Sequence, residues 1–170
     1  MDYQEKTDQF IAVIDAHKGI LYKIVNSYCK ESSERNDLIQ EIYLQLWKAF
    51  ENYKTDFKYS TWIYRISLNV AISFYRKQSS RVKIALPMEN NVFQFSDEAD
   101  HGEKETDFAL LQQFISELNE FDKAIMLLYL EEKSYKEIAE ITGITETNVS
   151  TKTARIKQKL KERFKQHKNN

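Results

Sequence analysis

Cysteine, proline and glycine are nearly missing from this chain of 170 residues, which holds one Cys, one Pro and three Gly. A lone cysteine, Cys29, excludes an internal disulfide and any multi-cysteine metal site. So few Gly and Pro disfavour a many-turned β fold and favour helices joined by short connections. Long apolar runs are missing too. The longest, Ala124 to Leu130, falls far short of the roughly 18 residues that suggest a membrane span. The opening segment MDYQEKTDQF has no basic stretch followed by an apolar one, which predicts no secretory signal and a cytoplasmic location. His17, His101 and His167 stand far apart, without metal-ligand or triad spacing, and Gly19, Gly102 and Gly143 are isolated, so no phosphate loop is present. No catalysis, metal or cofactor is expected.

What the chain does have is charge, and the charge is unevenly placed. The net value is −1, but residues 1–53 carry −3, 54–84 carry +6, 85–122 carry −9 and 123–170 carry +5. Two basic blocks separated by an acidic one suit two surfaces for a polyanion with a tether of opposite sign. Charge alone favours the plainer reading of solvated helix faces.

On both sides of residues 87–107, which hold the only proline and the run SDEADHGEKETD, apolar residues recur with helical spacing. The pattern predicts an all-α protein of two small domains joined by a flexible acidic linker. One or two helices precede the turn CKESSERN. A helix over about 34–52 carries Leu38, Ile39, Ile42, Tyr43, Leu46, Trp47 and Phe50 as its buried stripe, with Asp37, Gln40, Glu41, Leu44 and Lys48 opposite. A third helix over about 61–77 sorts at 100° per residue into a core set, Ile63, Ile66, Val70 and Phe74, and a second row. That row is Trp62, Arg65, Asn69, Ser73 and Arg76, an unusual mixture for a merely solvated face.

Helical segments near 108–118 and 122–131 lead to a sharper signal. Ser134 and Glu137 form an S-x-x-E capping box, Gly143 supplies a left-handed turn, and Thr145 caps a helix to about Phe164. Two helices joined this way form a helix-turn-helix. Val149, Ile156, Leu160 and Phe164 pack inward, while Thr147, Asn148, Ser150, Thr151 and Arg155 point away, where a recognition helix meets base edges.

Three stretches, DLIQEIYLQLW (37–47), STWIYRISLNVAISFYRK (60–77) and SYKEIAEITGITETNV (134–149), resemble in order and spacing the extracytoplasmic-function class of bacterial RNA polymerase sigma factors. The resemblance covers nearly the whole chain. It implies a promoter-specificity subunit divided into residues 1–84, which bind core polymerase and melt the minus-ten element, an acidic linker at 85–107, and a helix-turn-helix domain at 108–170 for the minus-thirty-five element. Asp37, Leu38, Gln40, Glu41 and Leu44 are then the contacts to core polymerase, whose β′ coiled coil and β subunit are the implied partners. Tyr59, Thr61, Trp62, Arg65, Asn69, Ser73, Arg76 and Lys77 offer aromatic faces and cations to single-stranded DNA. Thr147, Asn148, Ser150, Thr151, Lys152 and Arg155 face duplex DNA, Lys and Arg anchoring phosphate and the others reading bases. The family commonly has bulkier basic residues at Ser150 and Thr151 and an acid at Ser73. It also implies an anti-sigma factor, able to hold the protein at the membrane without membrane insertion. No small-molecule substrate is expected. The alternative is a two-domain helix-turn-helix regulator that binds duplex DNA alone, and the Trp62–Arg76 row argues against it. The linker acids Asp97, Glu98, Asp100, Glu103 and Glu105 read either as a solubilising tether or as a phosphate mimic in a basic channel.

Overall fold

The computed structural model describes residues 2–85 and 103–170. Among them are seven α-helices and no strand: α1 (Tyr3–Tyr28), α2 (Ser32–Phe50), α3 (Tyr59–Ala85), α4 (Glu103–Ser116), α5 (Glu120–Leu130), α6 (Tyr135–Thr142) and α7 (Glu146–Asn169). Most of the acidic linker lies outside the described residues. Its last part is helical, because α4 begins at Glu103 and not near Phe108.

The first lobe is a bundle of α1, α2 and α3. The segment before CKESSERN is one unbroken helix, α1, capped by Asp2, whose carboxylate accepts from the Tyr3 N–H at 2.7 Å. In α2 the buried positions Leu38, Ile42, Leu46 and Phe50 recur every fourth residue, a single stripe along one face. The turn between these helices is fastened by Arg35, which donates to the carbonyls of Cys29 (3.2 Å) and Lys30 (2.6 Å) and so satisfies acceptors left over at the end of α1.

Helix α3 departs from the sequence reading. It is longer at both ends than 61–77, and its core face is Ile63, Tyr64, Leu68, Ala71 and Ile72, with Ser67 among them. Ile66, Val70 and Phe74 are only half-buried. The reason is that α3 has neighbours on two sides, α1 and α2 on one and α5 and α6 on the other, so the apolar stripe is wider than one packing partner requires.

The second lobe is α4 to α7, with α7 against α4, α5 and α6. Phe114 of α4 meets Phe164 of α7 edge-on at 5.0 Å. The helix-turn-helix follows the sequence closely. Ser134 Oγ accepts from the Glu137 N–H at 3.1 Å, the Glu137 carboxylate accepts from the Ser134 N–H at 2.8 Å, and Gly143 sits at φ 78°. Thr145 caps α7 by accepting from the Asn148 N–H at 3.1 Å.

The lobes pack on one another, and their buried residues form one contiguous cluster. Tyr28 of α1 donates to the Glu120 carbonyl at 2.6 Å, and Lys23 reaches Glu131 at 2.5 Å. Lys123 of α5, 4% exposed, places its Nζ near the rings of both Tyr28 (5.3 Å) and Tyr75 (5.1 Å), which meet each other edge-on at 6.4 Å.

Candidate protein and nucleic-acid interfaces

The outward face of α2 presents Asp37, Gln40 and Leu44 to solvent, with Glu41 half-exposed and receiving a 2.8 Å hydrogen bond from Gln45. Leu38 does not belong to this face. It is fully buried beside Ile42 in the bundle core, one residue round the helix from the Asp37 row. Leu44, 45% exposed, is the apolar centre of an otherwise acid and amide surface, a composition suited to a basic protein partner.

An open groove of about 690 Å³ runs between α2 and α3. Asp37, Glu41 and Gln45 form one wall and Asn69, Ser73 and Lys77 the other, over the half-buried Val70 and Phe74. Two residue sets that the sequence assigns to different partners thus share one cleft.

At the start of α3 the aromatic side chains support one another. Tyr59 stacks on Tyr53 at 4.4 Å and 19°, while Trp62 meets Tyr53 (5.3 Å), Phe50 (6.1 Å) and Tyr59 (6.4 Å) at steep angles. Such offset and edge arrangements are the favourable ones for rings, and they hold Trp62 half-buried in a defined pose. The loop is tied further by Tyr53, whose hydroxyl donates to the Phe57 carbonyl, and the Arg65 guanidinium lies 5.9 Å from the Phe57 ring. Tyr53 and Phe57 are absent from the sequence-derived set. Their signal is the density of rings and lysines in YKTDFKYS. Thr61 is buried and faces the bundle, so it leaves the DNA set. Arg65, Asn69, Ser73, Arg76 and Lys77 are exposed along one rigid helix. Arg76 is paired with Glu120 of α5, Nε to carboxylate 2.5 Å, and this guanidinium holds the Glu120 carboxyl below the usual carboxylate range.

In α7 Val149, Thr153, Ile156 and Leu160 are buried, whereas Thr147, Asn148, Ser150, Thr151 and Arg155 are exposed around the helix start. Lys152 is half-buried, its Nζ 3.5 Å from the Asp122 carboxylate and 5.4 Å from the Phe121 ring centre. Cys29 is buried, and burial first, then Glu34, pushes its thiol up to about 11, which keeps it un-ionised. Among the described residues no cluster of His, Cys, Asp and Glu is arranged to hold a metal, and no helix is long and apolar enough to cross a membrane.

Two family models match the chain: Sigma-70 region 2 over residues 13–81 and Sigma-70, region 4 over residues 108–160. The RNA polymerase sigma factor SigV of Bacillus subtilis is 30% identical over 148 residues, covering 85% of this chain and 84% of that protein. The ECF RNA polymerase sigma factor SigM of the same organism is 28% identical over 142 residues, covering 83% and 86%. Two solved structures share the fold at 17% identity and a TM-score of 0.65. One is CnrH in complex with the cytosolic domain of CnrY, covering 94% of this chain and 89% of that one. The other is the sigma factor RpoE in complex with the anti-sigma factor NepR from Bartonella quintana, covering 95% and 98%. Helix-turn-helix, aromatic and cationic row and α2 face thus fall, in that order reversed along the chain, within matched regions of a single family: the chain belongs to the sigma-70 family of RNA polymerase sigma factors, in its extracytoplasmic-function class.

Proposed function

We propose that the chain binds core RNA polymerase through Asp37, Gln40, Glu41 and Leu44, holds the melted minus-ten element along Tyr59, Trp62, Arg65, Asn69, Ser73, Arg76 and Lys77, and reads the minus-thirty-five element as duplex through the first turns of α7. The division of labour follows residues 1–84 and 108–170. The observation that carries this reading is the row from Trp62 to Lys77. Only a ring face can replace the stacking a base loses on leaving the duplex, and only a cationic track can follow the phosphates. Here both lie on one helix, and the ring at its head is steadied by Tyr53 and Tyr59. Thr147, Asn148, Ser150 and Thr151 are short polar groups suited to base edges, with Lys152 and Arg155 as phosphate anchors. The protein performs no catalysis of its own and works in the bacterial cytoplasm. The sigma factor RpoE, which shares the fold, is bound to an anti-sigma factor in its solved structure, and we assign this chain a partner of that class, able to retain it at the membrane.

The test is run-off transcription with purified core polymerase on genomic fragments. Trp62→Ala spares closed-complex formation and blocks opening, since a stacking platform acts only on an unstacked base. Arg155→Ala acts earlier, weakening promoter binding and flattening its salt dependence by about one phosphate contact. Equal loss of both steps in both variants, or tight specific promoter binding by the chain without polymerase, overturns the assignment.

A further inference from the structure

The outward line of α7 carries small side chains where a helix that meets base edges often carries long ones. The buried residues Val149, Thr153, Ile156 and Leu160 fix the inward direction, and at about 100° per residue the opposite line passes through Thr151 and Gln158. Thr147 lies about 30° from that line and Ala154 about 50° from it, on the same side. All four are exposed. Gln158 is already engaged, its amide donating to the Glu162 carboxylate at 3.1 Å. What remains for a duplex is three methyl groups and two hydroxyls. Ala154 is absent from the sequence-derived set.

Charge stands on both sides of this line. Arg155, as far from it as Ala154 but in the other direction, is long enough to reach phosphate, and Lys159 lies beyond it on the same flank, with Lys161 on the opposite one, all three exposed. Cations so placed meet the phosphates that border a major groove roughly 12 Å wide, while a centre of small side chains lets the helix sit close to the groove floor. The groups that form bidentate pairs with guanine or adenine, or accept from cytosine, are missing from that centre, apart from the engaged Gln158. Threonine hydroxyls donate or accept and so suit any base pair. The methyl groups do not. Among the four bases only thymine offers a methyl in the major groove to meet them.

We propose that Thr147, Thr151 and Ala154 read the minus-thirty-five element through the methyl groups of thymine, with Ala154 a specificity-determining residue alongside the two threonines. The proposal rests on the assignment of α7 to that element made above. From Thr147 to Ala154 the helix rises about 10 Å, or about three base-pair steps. The three methyls thus cover a run of neighbouring base pairs, and the element carries thymine at these steps on one strand or the other.

The test uses holoenzyme rebuilt from core polymerase and the full-length chain, on a promoter fragment recovered by run-off transcription. Each thymine of the minus-thirty-five element is replaced singly by deoxyuridine, which deletes the C5 methyl and keeps every hydrogen-bonding group. Closed-complex affinity, measured in the cold before melting, falls about two- to fourfold at up to three neighbouring positions, the scale of one buried methyl group. Thr151→Ser removes the opposing methyl and retains the hydroxyl. On thymine DNA it gives a loss of the same size, and on DNA with deoxyuridine at the matching position it gives no further loss. Ala154→Gly does the same at a second position, and circular dichroism shows the helix retained. No loss from deoxyuridine at any position, or losses from Thr151→Ser and deoxyuridine that simply multiply at every position, overturns the methyl readout while leaving the sigma assignment standing. Absence of promoter-specific transcription from the parent holoenzyme overturns the sigma assignment, and the methyl readout with it.

Discussion

Leu38 and Leu44 occupy the same helix, six residues apart, and do opposite things. Leu38 is sealed in the bundle, so Leu38→Ala costs about 2–5 kcal/mol of stability, measured by denaturant unfolding. Leu44→Ala leaves stability within about 0.5 kcal/mol and weakens retention on core polymerase in a pull-down. The reverse pattern would return Leu38 to the binding face. The acidic and amide residues of that face were legible in the sequence because side chains such as Asp37 and Gln40 are seldom buried. Leu38 falls in the buried stripe by the same helical period, but the resemblance adds it, and Thr61, to the contacts, because a motif read as a continuous string includes whatever falls between its contacts. Tyr53 and Phe57 were missed for the converse reason: they sit in a loop, where no periodicity marks a face.

Among the elements, the α6–α7 pair was the most legible, since Ser134, Glu137, Gly143 and Thr145 each carry a local rule that needs no tertiary information. Ser134→Ala removes one side of the capping box and lowers stability by about 1 kcal/mol in thermal unfolding. Hydrogen bonding to the Ser134 N–H holds the Glu137 carboxyl below its usual range. A lowered folded value means the contribution is present above the ordinary carboxylate range and lost as pH falls through the lowered one. The parent's melting temperature therefore falls in that acid window, and Glu137→Gln flattens the fall. Helix α3 was the least legible. Its period was plain, but the choice of core face depends on α5 and α6, which lie beyond the linker and which no local pattern announces.

For the molecule as a whole, two domains were readable from the composition change at 85–107, whereas their packing on each other was not. It depends on particular pairs across the gap, such as Tyr28 with Glu120. A checkable consequence follows from where the tryptophans lie. Trp47 and Trp62, the only two, are both in the first lobe, whereas helix content reports on both lobes. If the shared cluster couples the lobes, fluorescence and far-ultraviolet dichroism give coincident denaturant transitions. Two separated midpoints would show independent domains.

Lys123, buried beside the edge-on pair of Tyr28 and Tyr75, gives the chain an intrinsic reporter. Burial, above all, lowers the affinity of the Lys123 amine for its proton, and the same burial screens it from reagents. An amine-acylating footprint therefore leaves Lys123 unmarked in the free protein while marking exposed Lys48 and Lys159. Labelling of Lys123, an unmodified native residue, therefore rises in any state that separates the lobes, so such a state can be timed on the wild-type chain by mass spectrometry.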